Sequence, residues 1–302
     1  MKRESRERRN NHIQMIPLET IYTFIFLLVD GFLWGLIIAL IALGLSFIFG
    51  MMRIVNMAHG DIYMVGAVLS LYVLGWFGSF WLALLIVPLV IGLICIPTER
   101  FVLRPFEGRP AVTMIATVGI AFIIQQTVLA TYGGIPKKMP DPWPMVINFL
   151  GVGYPGYRIL IACISVVVLA GLWLFLFRTS YGILIRATIQ DREMASAIGI
   201  NDNRIRMTTF ALGGVFAALG GVLAAPICQV FYLMGNDVIL LCFIVVIVGG
   251  LGSLKGTLLA SLVICTLEAA MTIVLKPIEA RVAIFAVMIL VLIFRPRGLF
   301  GR

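Results

Sequence analysis

The stretch RIVNMAHGD, Arg53 to Asp61, holds an arginine, an asparagine, one of the two histidines of the chain and an aspartate, with apolar sequence on both sides. Polar groups at such a depth carry ions, protons or polar solutes, since each is costly in hydrocarbon unless it faces protein or water. Asp61 stands where the following apolar run begins, so its charge complements the positive end of a helix dipole and its oxygen can take an unpaired N–H. Asn56 and His59, three apart, share a face if helical, and either line a passage or hold the break together as a hinge. Gly60 sits between them and Asp61. With a single histidine near the membrane, metal binding is not expected.

A second interruption, GGLGSLKGT from Gly249 to Thr257, looks at first like a phosphate-binding loop. That loop needs glycine directly before its lysine, and Leu254 stands there. No nucleotide site is therefore expected in this chain. In lipid, a glycine break is tolerated only where protein or a water-filled cavity satisfies the freed backbone, which makes Gly249, Gly250 and Gly252 hinge or pathway candidates beside Asn56, His59, Gly60 and Asp61. A pair of interrupted apolar segments is the best sequence pointer to a transporter's site, and here both breaks follow a span of the same direction, as in parallel repeats. Asp30 and Glu268 are the other acids within apolar sequence. No HExxH, GxSxG or nucleophile beside a base occurs, so no catalytic residues and no enzymatic activity are expected.

The elements that position these residues follow from composition. Of 302 residues 61% are hydrophobic and 12% charged, and mean hydropathy is +1.08; a soluble domain has about 45–50% apolar and 25% charged residues. The expectation is an all-α integral membrane protein, a polytopic bundle of about nine helices with some of them broken, lying in the lipid bilayer. The continuous apolar runs exclude a β-barrel. Asp30 and Gly31 divide the first run into a lead-in, Ile16 to Val29, and a span, Gly31 to Gly50. Further spans are Asp61–Phe77, Trp81–Pro97, Pro110–Tyr132, Arg158–Phe177, Met207–Ile227, Val238–Gly250, Gly256–Leu275 and Arg281–Phe294, of which Val238–Gly250 is short enough for a half-helix. Residues 1–15 form a basic tail and 16–302 one transmembrane domain. The net charge of +9 is what loops between spans produce, and no nucleic acid is expected as a partner. Five cysteines without CxxC spacing read as small hydrophobes, not as disulfides or a metal site.

With the C-terminus inside, the inner connections carry thirteen Lys and Arg and the outer ones five, the cytoplasmic excess that membrane topology requires. Nine spans then leave the basic N-terminus outside, against the same rule. Either the lead-in also crosses, giving ten spans, or translation begins at Met15. The Pro- and Gly-rich segment 133–157 is expected outside and the 29-residue basic loop Arg178–Arg206 inside, with a helix around Asp191–Ile198 and a turn at Gly199–Asn201; it is either a docking surface for a cytosolic partner or a loop that sets topology. Gly213, Ala217, Gly221 and Ala225 recur every four residues, a face for close helix packing or, as the alternative, a dimer seam.

Several stretches, quoted in order, carry a family likeness: GLIIALIALGLSFIFGMMRIVNMAHGDIYMVGA, ASAIGINDNRIRMTTFALGGVFAALGGVLAAP, FIVVIVGGLGSLKGTLLASLVI and MILVLIFRPRGLFG. Together they resemble branched-chain amino acid ABC transporter permeases of the LivH type over most of Gly31–Gly301. The resemblance implies a multi-pass subunit of the bacterial inner membrane with its C-terminus cytoplasmic. Its partners would be a second permease, LivM-like or another copy of itself, two cytosolic ATP-binding subunits and an extracytoplasmic solute-binding protein. ATP is then bound by the partners, with no cofactor in this chain, and ATPase contact falls near Asp191, Ala195, Ala197, Gly199 and Arg204. The expected solutes are leucine, isoleucine and valine or related neutral amino acids. An ion-driven carrier or channel is the alternative, using Asp30, His59, Asp61 or Glu268 as its ion site; a ribose-type sugar permease lies nearer.

Overall fold

The computed structural model describes residues 18–149 and 152–301. The basic tail before Met15 lies outside the described residues. Helix α1, Leu18–Met52, runs 35 residues without interruption, about 52 Å at 1.5 Å per residue. The expected division at Asp30 and Gly31 does not occur. One glycine costs a helix only about 1 kcal/mol relative to alanine, and here it lets a second helix in. A β-carbon on Gly31 would stand 2.6 Å from the β-carbon of Ala269 and 2.8 Å from the carbonyl oxygen of Cys265. The lead-in, from Leu18 on, is thus part of the first span, which removes the ten-span alternative.

The chain continues through α2 (His59–Phe77), α3 (Phe80–Pro97) with its π and 3-10 extension to Phe106, and α4 (Pro110–Tyr132). A short strand β1 (Lys137–Lys138) and a hairpin of β2 (Val146–Phe149) and β3 (Val152–Pro155) lead to α5 (Gly156–Arg178). Two short helices follow, α6 (Ser180–Gln190) and α7 (Arg192–Ala197), then α8 (Asp202–Ala224), β4 (Gln229–Val230), α9 (Met234–Gly249), α10 (Leu254–Met271) and α11 (Pro277–Phe294). Among the described residues eight helices are long and apolar enough to cross a membrane, and α9, with 16 residues, is a shorter ninth. The chain is an all-α multi-pass membrane protein, and the half-helix expected at Val238–Gly250 is α9.

Two ends of the bundle can be told apart. At the basic end lie the C-terminus of α1, the loop with α6 and α7, and the chain terminus. There Arg192 pairs with Glu107 and Asp202, Arg206 pairs with Glu107, and Arg104 with Glu99 at 2.8 Å. At the hairpin end β1 pairs with β4, Tyr132 donates to the Val230 carbonyl at 3.2 Å, and Tyr154 donates to Asp30.

Helix α8 is the centre of packing. A β-carbon on Gly44 of α1 would meet the Gly213 carbonyl oxygen at 2.6 Å, and one on Gly221 would meet the Ala67 nitrogen of α2 at 2.9 Å. Ala217 and Ala225 are fully buried. The four-residue repeat of small side chains therefore lets α1 and α2 approach α8 within this chain, where dispersion depends on close backbone contact. That face is occupied, and a dimer seam is not available on it.

Candidate functional site: a polar seam between two helix N-termini

Helix α1 ends at Met52, and Arg53 turns the chain out of it in a left-handed conformation, φ 52°. Residues 53–58 then climb back along α1 without helical structure. The climb is measured by His59, whose Nε2 lies 2.9 Å from the Ile41 carbonyl oxygen. A carbonyl only accepts, so Nε2 carries the proton. Ile41 stands eleven residues before Met52, about 16 Å up the axis. Helix α2 therefore starts deep inside the bundle, not at its edge.

Thr117 of α4 supports the climbing segment. Its hydroxyl accepts from Met57 N–H at 3.2 Å and faces the Val55 carbonyl at 3.4 Å. The asparagine between them is 1% exposed, and neither atom of its amide has a partner among the described residues; His59 Nδ1 is likewise unpaired. An unsatisfied buried amide costs about 1–3 kcal/mol, so Asn56 is held there against stability. Asn56 and His59 do not share a helical face, because Asn56 lies before the helix.

Helix α9 approaches from the other side. From β4 at the hairpin end the chain turns inward and starts α9 at Met234. A β-carbon on Gly235 would lie 2.5 Å from the Gly60 oxygen, 2.6 Å from its carbonyl carbon and 3.0 Å from Asp61 N. The N-termini of α2 and α9 thus meet backbone to backbone in the interior, each having entered from a different end of the bundle. Asp61 and Asp237 lie in the two first turns, where a negative charge offsets the helix dipole.

Gln125 of α4 joins the two. Its Nε2 donates to Asp61 Oδ1 at 2.9 Å and to Asn236 Oδ1 at 3.1 Å. The carboxylate, 2% exposed, can only accept, which fixes the orientation of the glutamine amide. Asp61 does not cap α2: Ala58 is the N-cap residue, with no side-chain bond, and the carboxylate is spent on Gln125 instead. Such a seam offers backbone N–H groups, amides and one carboxylate, a set that can pass a polar uncharged or zwitterionic solute.

Gly249, Gly250 and Gly252 lie elsewhere. They make the corner from α9 to α10 at the basic end, with φ 104° at Gly250 and 80° at Gly252. A β-carbon on Gly50 would be 3.5 Å from the Gly252 α-carbon. The C-terminal segment closes over this corner, Leu299 N–H donating to the Val248 carbonyl at 2.8 Å and Phe300 N–H to that of Gly249 at 3.2 Å. The freed backbone is satisfied by protein, and the positive φ values explain the glycines. The counterpart of the first break is the start of α9, so the two breaks are not parallel repeats.

The residues of the basic loop fall as spaced in the sequence. Asp191 caps α7, accepting from Met194 N–H at 3.0 Å, Gly199 has φ 88°, and Asn201 caps α8 through Arg204 N–H at 3.2 Å. Asp191, Ala197, Gly199 and Arg204 are exposed, whereas Ala195 is 3% exposed and points into the protein. Its neighbours Met194 and Ile198 are 61% and 71% exposed. Beneath them, partial burial alone would raise the Glu107 carboxyl; hydrogen bonds and charge from Arg192 and Arg206 outweigh it and hold the group below the ordinary carboxylate value.

Sequence reasoning missed Gln125, Asn236, Gly235 and Thr117. A signal was available for three of them. Gln125 and Gln126 interrupt an otherwise apolar run, and Gly235–Asn236–Asp237 echoes the small, polar and acidic pattern of His59–Gly60–Asp61.

Residues 27–293 match the model of a family described as branched-chain amino acid transport system, permease component. Among curated proteins, BraD of Pseudomonas aeruginosa, a high-affinity branched-chain amino acid transport system permease protein, is 30% identical over 93% of this chain and 97% of its own length. LivH of Escherichia coli K12, similarly named, is 28% identical over 90% of this chain and 94% of its own. LivM of the same organism, a permease protein of such a system too, is 24% identical over 87% of this chain and 68% of its own. No solved structure matches the chain.

Proposed function

We infer the function from one premise: this chain belongs to the family of branched-chain amino acid transport system permease components. It is the membrane-spanning permease subunit of an ATP-driven importer of leucine, isoleucine, valine or related neutral amino acids, and not an enzyme. The observation that carries this reading beyond the family is the meeting of α2 and α9 at Gly60 and Gly235. Helix N-termini that meet at one depth are a way for a bundle to present polar groups to a solute in the bilayer interior. Among the described residues Asp61 is hydrogen-bonded by the neutral amide of Gln125 and paired with no cationic side chain, and Asp237 has Arg281 at 4.0 Å, a polar seam that suits a zwitterionic solute.

The basic end is cytoplasmic, in keeping with the excess of arginine there. Two cytosolic subunits bind ATP and dock on the loop 178–206. A second permease, LivM-like or another copy of this chain, completes the pathway, and a solute-binding protein delivers to the hairpin end. The similarity of this chain to both LivH and LivM supports a paired arrangement.

Reconstitution tests this. Vesicles holding the permease pair, the ATPases and internal ATP should accumulate leucine when given the binding protein. Arg204→Glu should leave the permease in the membrane yet weaken ATPase co-purification. Uphill uptake driven by an ion gradient with no ATP would overturn the reading.

A further inference from the structure

A cavity of about 360 Å³ opens at the hairpin end, between α1, the start of α5 and the facing parts of α10 and α11. It is within the size range of small-molecule sites, about 300–1,000 Å³. Two opposed ion pairs line it. Arg158 pairs with Asp30, and Arg281 Nε donates to Glu268 Oε1 at 3.1 Å. The rest of its wall is largely aliphatic and aromatic, with Leu33, Trp34 and Ile37 of α1 facing Ile161 and Ile227.

The pairs differ in what they leave over. Asp30 has both oxygens engaged, one by Arg158 and the other by the Tyr154 hydroxyl. Among the described residues Glu268 accepts only through Oε1, from Arg281 Nε, and both residues line the cavity. Arg281 Nη1 stands 4.0 Å from Asp237, which belongs to the first turn of α9.

We propose that this cavity is a receiving site for the zwitterionic head and aliphatic side chain of a neutral amino acid, held by Glu268 and Arg281. The α-ammonium lies against the free oxygen of Glu268 and the α-carboxylate against the outer edge of Arg281, a fork geometry that guanidinium offers and lysine does not. The two acids and two arginines of the lining sum to no charge, and Asp237 beyond them adds none that favours a free anion, while the apolar wall takes a branched side chain. Arg281 also reaches toward Asp237, so the site adjoins the half-helix whose next residue inward, Asn236, is bonded to Gln125. This assignment rests on the transport function proposed above and adds where the solute is received. A phosphatidylethanolamine headgroup shares the ammonium–anion chemistry, and the test separates the two sources.

Cys228 lines the same cavity and is partly exposed, while Cys163 is exposed elsewhere and the other three cysteines are buried. The assembled complex carrying Cys163→Ser, in phosphatidylcholine nanodiscs, is labelled with a charged methanethiosulfonate and Cys228 modification is read by peptide mass. L-leucine at ten times its dissociation constant should slow labelling about tenfold by mass action. Leucinamide, lacking the carboxylate, and 4-methylpentanoate, lacking the ammonium, should not. Arg281→Gln should abolish protection, read as the ratio of its own labelling rates with and without leucine; Glu268→Gln gives the same readout should the first variant fail to assemble. Protection by leucinamide, by phosphatidylethanolamine in place of leucine, or undiminished protection in both variants overturns the assignment. No protection from a complex that still accumulates leucine in vesicles overturns it alone, whereas failure of leucine accumulation overturns the transport reading as well.

Discussion

Gly60 and Gly235 touch through their backbones, with the Gly60 oxygen 2.5 Å from where a β-carbon of Gly235 would be. The contact admits no side chain on either partner and fixes the depth at which α2 and α9 begin. Gly235→Val should cost about 1–3 kcal/mol by overpacking and abolish uptake. Gly119→Ala is the control, because nothing lies within 4 Å of a β-carbon there. Thermal unfolding of the purified complex and leucine uptake distinguish them; equal behaviour of the two variants would remove the contact from the mechanism.

Among the described residues Gln125 is the one whose side chain bonds to both α2 and α9, through Asp61 and Asn236. Gln125→Leu keeps the volume and leaves Asp61 buried without that donor, a loss of about 1–3 kcal/mol. Uptake should fall further than membrane content does, as measured by initial rates normalised to protein. A variant that transports at the normal rate would show that the bridge is not needed.

The cluster under the basic loop gives a pH dependence of known sign. Glu107 has its carboxyl lowered from 4.5 in the folded protein, so the ionised form binds Arg192 and Arg206 more strongly than it would when unfolded. Its contribution is complete above 4.5 and is lost as pH falls through the lower folded value. The melting temperature should drop on acidification below that point, and Glu107→Gln should flatten the drop. A parallel pH profile in the variant would exclude Glu107 as its source.

Met194 and Ile198 expose large apolar side chains on either side of buried Ala195. Met194→Asp and Ile198→Asp should leave the fold intact, since neither side chain packs inward, and reduce co-purification with the ATPase. Retention of full binding in both would move the contact away from α7.

At the corner between α9 and α10, Gly298 has φ 79°, and a β-carbon there would stand 2.6 Å from the Gly250 nitrogen and α-carbon. Gly298→Ala should lower the unfolding temperature by detaching the C-terminal segment from Val248 and Gly249. Hydrogen exchange at Leu299 and Phe300 reads the detachment directly.

Much of the architecture was legible in the sequence because a membrane makes length and apolarity decisive. The nine apolar segments are the nine long or apolar helices, the short seventh is α9, and the loop caps at Asp191 and Asn201 announce themselves by residue type. The site was legible only in part. RIVNMAHGD stood out because charge is scarce around it, yet its partner was sought in the glycines at 249–252, where glycine density is greatest. Those glycines answer a local demand for positive φ and close backbone contact. The true partner, Gly235–Asp237, is a weaker mark on the sequence, and its meaning comes from a contact 175 residues distant along the chain, between Gly60 and Gly235. The continuity of α1 through Asp30 escapes the sequence for a similar reason: its carboxylate is paired with Arg158 and hydrogen-bonded by Tyr154, far away in sequence.

The opposite origins of α2 and α9 have a mechanical consequence. One hangs from the end where α6 and α7 are gathered, the other from the end where the hairpin lies, and they bear on each other at Gly60 and Gly235. A displacement of either connection is carried to the same few ångströms of glycine backbone.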